Sequence, residues 1–338
     1  MIVDAHNDLL IELAFFRDEP NPFATRWLRK LEAGGVDLQV CALFAEGDAL
    51  PEGALRQTLG QIAAFRRAVA TNPDRVTAIE TRSDLDEAAA AAKIGLMLSI
   101  EGVEPLGYDD QLIDVFVDLG VRMVSLTWNR RNPFADGTAE PPGGGLSVLG
   151  RRLVERIDSL PVVLDLAHAN ERTFFDALEV APESPVMVSH AGCRTLCDTP
   201  RNLSDAQLKA LAERDGVVGL MAQPLVVHPT EWTIERLLDH VDHVVELVGI
   251  RHIGLGSDFS RQLVQSGALR TAGLGAPVTA PGANPAVASL ESVVEGFTGP
   301  EDFPNLVAGL RERGYRDIDL QAILSQNVLR VLRRALPD

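Results

Sequence analysis

Residues 185–222 read PVMVSHAGCRTLCDTPRNLSDAQLKALAERDGVVGLMA. The stretch opens on a short apolar run, Pro185 to His190, that ends in an imidazole, and it closes on a second run, Val217 to Ala222. Aliphatic runs of about 4–8 residues bounded by turn-forming residues are what buried strands look like. Between the two runs, Ala206 to Arg214 spaces its apolar residues three and four apart, as a helix facing a core does. Strand, helix and strand in succession is the βα pattern of a parallel sheet.

The alternation extends in both directions. Runs at Met1 to Asp8, Val36 to Phe44, Gly95 to Glu101, Arg122 to Trp128, Val162 to His168 and His252 to Asp258 bring the expected strands to eight, and Leu55 to Ala70 and Ile234 to Val248 repeat the helical spacing. Eight strands with helical crossovers predict an α/β fold of the (β/α)8 TIM-barrel type, with residues 1–338 as one domain. An open doubly wound sheet shows the same alternation, but it usually carries a glycine-rich dinucleotide turn after an early strand, and none is present.

Two segments break the rhythm: Asn132 to Ser147, containing ADGTAEPPGGG, and Gln262 to Pro285, rich in Gly, Ala and Pro. Both read as loops. The second follows the last strand on the face where barrel active sites lie, so residues 259–285 stand as a lid or as an insertion. Ile318 to Leu336 is expected to pack on the barrel as the final helix.

A net charge of −17 over 338 residues leaves no basic surface for nucleic acid or an anionic membrane, so neither is expected as a partner. The start, MIVDAHND, has no basic region followed by an apolar run, and the end, RRALPD, has no apolar tail, which gives the expectation of a cytoplasmic protein. No apolar run is long enough for a membrane span. Cys41, Cys193 and Cys197 are too few and too unevenly placed for a disulfide framework, and are read as reduced thiols.

The chemistry gathers at the strand ends. His6 and Asp8 lie two apart, so on a strand they share one face and can grip one ion, with Asp4 behind them as a supporting group. Glu101, His168, His190 and Asp258 each close a separate expected strand, at the rim where barrel enzymes build their sites. Imidazole and carboxylate donors suit zinc or manganese, and a carboxylate such as Glu101 can bridge two such ions. His6, Asp8 and Glu101 would hold one, Glu101, His168 and His190 the other, with Glu101 bridging and a hydroxide between the ions. Asp258 would pass a proton to the leaving amine. His228, His240, His243 and His252 fall outside this pattern and are read as structural.

In this order, DAHNDLL at His6 and Asp8, SIEG at Glu101, DLAH at His168, VSHAGCRTL at His190, PRNLSD at Arg201 and GSDF at Asp258 resemble the membrane dipeptidase (renal dipeptidase) family over nearly the whole chain. The resemblance implies a binuclear zinc barrel that hydrolyses dipeptides, often with a D-residue at the second position, and that is commonly soluble in bacteria and often a homodimer. It implies the same five ligands, and Arg201 as the group that takes the substrate carboxylate, a role suited to its planar, permanently charged fork.

Two departures stand out. Trp128 in LTWN occupies a position where relatives carry a substrate-contacting histidine; an indole donates a hydrogen bond but accepts none, and Asn129 is the neighbour that would compensate. Ser260 and Arg261 follow Asp258 where Asp-Gly is usual, and the added cation would favour an acidic substrate side chain. Other chemistries fit the same donors. Phosphotriesterase-like barrels bridge their ions with a carboxylated lysine, but Lys30, Lys93 and Lys209, the only lysines, lie away from strand ends. Hydrolysis of another small amide or a lactone on the same centre, or a metal-binding barrel without turnover, also stays open.

Overall fold

All eight expected apolar runs form strands because their side chains are buried on both faces, leaving the backbone no partner except a neighbouring strand. The computed structural model describes residues 1–269 and 292–338. Among these, the parallel strands are β1 (Ile2–Asn7), β2 (Val36–Phe44), β3 (Val76–Ala78), β4 (Ile94–Glu101), β5 (Val121–Ser125), β6 (Val163–Asp165), β7 (Val186–Ala191), β8 (Val217–Leu220) and β9 (Ile253–Leu255). They pair in the order β2-β1-β9-β8-β7-β6-β5-β4, and β2 pairs with β4 from Leu38–Gly95 to Phe44–Glu101, which closes the ring. The fold is a (β/α)8 barrel.

β3 lies outside the expectation. It covers only the start of β4, at Ile94 to Leu96, on the edge that β5 takes over from Leu98 onward. Three residues, VTA, are too few to display a period, so nothing in the sequence marks them. Other expected strands ran too far: β5 stops at Ser125, β6 at Asp165 and β9 at Leu255, short of Trp128, His168 and Asp258. For the last two the cause is visible. His168 and Asp258 have φ of 63° and 53°, in the left-handed region, where a strand cannot continue.

Helix α1 (Leu9–Phe15) follows β1 directly and is not among the expected helices, whereas α2 (Ala54–Thr71), α3 (Asp205–Glu213) and α4 (Ile234–Val248) match the helical spacings of the sequence. Ser204 starts α3 with a capping box to Gln207, satisfying donors the helix end would leave unpaired. Asn132 to Ser147 contains no helix or strand. Part of the second expected loop is helical instead: α5 (Arg261–Gln265) forms because its residues include no Gly or Pro and Leu263 is buried beneath it. The lid expected over 259–285 falls largely on residues 270–285, outside the described residues.

The final segment runs through a short helix at Asp317–Gln321 and a π turn at Ala322–Gln326 into α6 (Asn327–Ala335). Val328, Val331 and Leu332 on α6 share one buried cluster with Val163, Met187 and Val217 near the starts of β6, β7 and β8. The Asn327 amide donates to the carbonyls of Ile250 (2.7 Å) and Ile253 (2.8 Å). α6 therefore stoppers the amino-terminal end of the barrel and leaves the opposite rim for chemistry. No helix among the described residues is long and apolar enough to cross a membrane, and Cys41, Cys193 and Cys197 are all buried, free thiols.

Candidate metal centre

β1 brings His6 to the rim and turns directly into Asp8. The His6 Nε2 atom lies 3.8 Å from Glu101 Oε2 at the end of β4, 3.9 Å from Asp8 Oδ1 and 3.9 Å from Asp258 Oδ1. The other oxygen of Glu101, Oε1, faces the remaining imidazoles: His168 Nε2 at 2.8 Å and His190 Nε2 at 3.5 Å. One carboxylate thus presents an oxygen to each half of the cluster. The His6 and His190 rings stack with centroids 3.6 Å apart.

The tautomers follow from the hydrogen bonds behind each ring. His168 Nδ1 lies 2.7 Å from the amide oxygen of Asn129, which only accepts, so Nδ1 carries the proton. His190 Nδ1 lies 2.8 Å from Ser189 Oγ, whose own hydrogen goes to Asp165 Oδ2 at 2.5 Å; Nδ1 is again the donor. Both Nε2 atoms therefore carry lone pairs, and they stand 2.9 Å apart. Two facing lone pairs at that distance repel each other; Arg201 Nη2, 3.0 Å from His168 Nε2, donates to one of them, and the His190 lone pair is left for a cation to take.

The electrostatics lead to the same conclusion. Burial, with Arg201 nearby, pushes the His6 imidazole down to about 3, and burial also holds His168 and His190 well below their ordinary value, so all three stay neutral. Burial raises Asp8 to about 7 and lifts Glu101 and Asp258 well above the carboxylate range, with the mutual repulsion of the acids adding to it. Arg201, only 5% exposed and itself lowered to about 10 by burial, is the guanidinium set among them. His6 Nε2, Asp8 Oδ1 and Arg201 Nε are buried without a hydrogen-bond partner. His6, Glu101 and His190, and likewise His6, Asp8 and Asp258, can each direct donor atoms at one ion. The orphaned His6 and Asp8 atoms, the neutral imidazoles and the excess carboxylate fit divalent cations, while the orphaned Arg201 Nε calls for an anion.

Supporting residues account for the precision. Asp4, beneath His6, accepts from Ser257 N (2.8 Å) and Ser257 Oγ (2.5 Å), tying β1 to the residue before Asp258. Asp165 does the same for β7 through Ser189 N (2.8 Å). Gly256 is required there, because a Cβ at that position would sit 1.8 Å from the Ser189 carbonyl oxygen. Arg201 arrives on the loop after β7, with its Nη2 3.0 Å from His168 Nε2. Asn202 next to it is almost wholly buried and knits that loop, accepting from Gly192 N and donating to the carbonyls of Cys197 and Val226. None of Ser189, Ser257, Asp165 and Asn202 was marked as a site residue in the sequence; their adjacency to VSH, GSD, DLAH and PRN was the available signal.

Trp128 is half-buried beside the site, 6.0 Å from the His168 ring and 5.5 Å from Phe44, with the Arg130 guanidinium 5.1 Å above it. Arg261 is exposed on α5 and lines a cavity of about 470 Å3 with Glu12, Arg26, Lys30 and Glu301. The histidines read as structural have partners elsewhere: His240 accepts from Cys193 N (2.9 Å) and donates to the Val227 carbonyl (2.8 Å), His243 meets Asp205, His252 meets the Gly216 carbonyl, and His228 accepts from Glu231 N.

Lone pairs of neutral imidazoles facing uncompensated carboxylates at the open rim of a parallel barrel are the equipment of a metal-dependent hydrolase, and that is the class this fold and rim define. Residues 1–270 match the model of the membrane dipeptidase family, peptidase family M19. The chain is 30% identical to the dipeptidase tcpJ of Claviceps purpurea over 85% of its own length and 61% of that relative's, and 29% identical to an uncharacterized dipeptidase of Schizosaccharomyces pombe over 98% and 80%. Its fold superposes with a TM-score of 0.81 on a metallopeptidase from Rhodobacter sphaeroides bound to a phosphinate mimic of L-Ala-D-Ala, at 24% identity and covering 99% of each chain, and with 0.82 on a dipeptidase of the same peptidase family, at 24% identity and covering 100% and 99%. The chain belongs to the membrane dipeptidase family of metallopeptidases.

Proposed function

We propose that the chain is a binuclear, zinc-dependent dipeptidase. The observation that carries this reading is the division of Glu101 between the two halves of the site, Oε2 towards His6 and Oε1 towards His168 and His190. His6 and Asp8 would hold one ion, His168 and His190 the other, and Glu101 both. Bound there, the pair would polarise the scissile carbonyl and lower the pKa of a water towards neutrality.

The protein's own groups do the remainder. Arg201 has a buried Nε with no partner, a donor waiting for an acceptor, and it receives the substrate's terminal carboxylate. Asp258, held above the ordinary carboxylate range by burial and the neighbouring acids, is the group placed to take up a proton and deliver it to the leaving amine. The Trp128 indole flanks the substrate and can donate from Nε1 to its oxygens, with Phe44 and Arg130 fixing the ring. The L-Ala-D-Ala mimic bound by the Rhodobacter sphaeroides protein supports a dipeptide with a D-residue at the second position as substrate here.

The test is hydrolysis of a panel of L,L and L,D dipeptides by purified protein supplied with zinc. Turnover is expected, and His190→Ala should lower kcat/KM by more than the roughly 100-fold that loss of an outer supporting residue costs, without unfolding the barrel. If no dipeptide in the panel is cut, the assignment fails. A side-chain series in the same assay tests Arg261: faster turnover of acidic than neutral dipeptides is expected if its charge reaches the substrate.

A further inference from the structure

His168 and His190 stand side by side, yet they are backed by different chemistry. Behind His190 is an ionisable chain, Ser189 and then Asp165. Behind His168 is a neutral one: the Asn129 amide oxygen accepts from His168 Nδ1 (2.7 Å) and also from Thr138 Oγ1 (2.8 Å). Thr138 in addition donates its backbone N–H to the His168 carbonyl (3.0 Å), so one residue secures both the ring and the left-handed backbone beneath it.

Thr138 sits in the Asn132 to Ser147 segment, and that segment is anchored where it matters. The Asp136 carbonyl accepts from Asn170 N (3.3 Å) and Thr173 Oγ1 (2.9 Å), just past His168 in sequence. Gly137 lets the chain pass close to Asn129: a Cβ there would lie 2.1 Å from the Trp128 carbonyl oxygen. With Oδ1 occupied twice, Asn129 has no acceptor left in that direction for a substrate to use.

We propose that Asn129, held by Thr138, is a positioning residue that fixes the Nε2-donor tautomer of His168 and thereby sets how tightly the His168–His190 half of the centre keeps its ion; it is not a substrate contact. The inference rests on the binuclear reading above. A neutral amide leaves His168 the weaker donor of the pair, whereas the carboxylate behind Ser189 strengthens His190.

The experiment needs no substrate. Metal-free protein is titrated with zinc against a chromophoric chelator, and with cobalt followed by its visible absorption. Wild type should show two sites. Asn129→Leu should weaken one of them by roughly 10–100-fold and change the cobalt band of that site, leaving the other as it was. Asn129→Asp should restore that affinity to the wild-type level or beyond. Thr138→Val, which keeps the volume and removes one hydroxyl, should weaken the same site by less, and it carries the test if Asn129→Leu does not fold. In the dipeptide assay the Asn129→Leu deficit should appear in kcat at limiting zinc and recede at saturating zinc, with KM unchanged. Both ions bound as in wild type by Asn129→Leu or, where that variant does not fold, by Thr138→Val overturns the proposal, as does a raised KM at full occupancy. Wild-type protein that binds two ions and cuts no dipeptide would instead overturn the dipeptidase reading alone.

Discussion

The two ends of the barrel are built on opposite rules. At the amino-terminal end α6 presses Val328, Val331 and Leu332 onto Val163, Met187 and Val217, and these side chains are apolar and buried. At the carboxyl-terminal rim, burial falls instead on His6, Glu101, His168, His190 and Arg201, with orphaned donors and left-handed backbone at His168 and Asp258. Such backbone costs roughly 1–3 kcal/mol at each residue and is tolerated where function needs it. One end is arranged for stability alone; the other spends some of it to keep lone pairs and charges uncovered for a ligand.

Substitutions at the two ends should therefore separate the two properties. The largest effect on folding is expected at the stopper: Leu332→Ala should destabilise by about 2–5 kcal/mol in denaturant unfolding, as large-to-small core changes do, while kcat/KM per folded molecule stays at the wild-type level. That is the mirror image of His190→Ala, which should remove activity and spare the fold. A stable Leu332→Ala with impaired turnover would show that the ends are coupled and break the contrast.

A smaller effect sharpens it. His240 is buried like the rim imidazoles but serves only the chain, accepting from Cys193 N, and burial lowers it from 6.5 to about 4. Its neutral form is the one the fold uses. The unfolded chain takes up a proton below about 6.5 and the folded one only below about 4, so this histidine's contribution is complete above pH 6.5 and is lost as pH falls from there towards 4. The loss is at most about 3 kcal/mol. His240→Gln should lower stability at neutral pH and flatten the acid limb across that window relative to wild type. Parallel stability–pH curves for the two proteins would exclude His240 as the cause.

The sequence carried the barrel because long apolar runs with fully buried strands, such as GLMLSIE, leave few alternatives, and it carried the rim because His and carboxylate at successive strand ends are uncommon by chance. It was silent on β3, whose three residues show no period. It extended β6 and β9 through His168 and Asp258, since a left-handed turn at a His or an Asp has no signature in composition. It was equally silent on the supports. Ser257 reaches Asp4 across 253 residues of the chain, and a serine's meaning there is given entirely by a partner that only folding supplies. Beside Trp128, Asn129 reads in the sequence as a substrate contact, and nothing there shows that its amide oxygen faces His168 Nδ1.

On the function proposed above, Glu101 is shared between two ions. Crystals grown with zinc and measured at the zinc absorption edge test it most directly: two anomalous peaks are predicted, one beside His6 and Asp8 and one beside His168 and His190, with an oxygen of Glu101 on each. A single peak, or a Glu101 side chain turned away from His6 and His190, would contradict it.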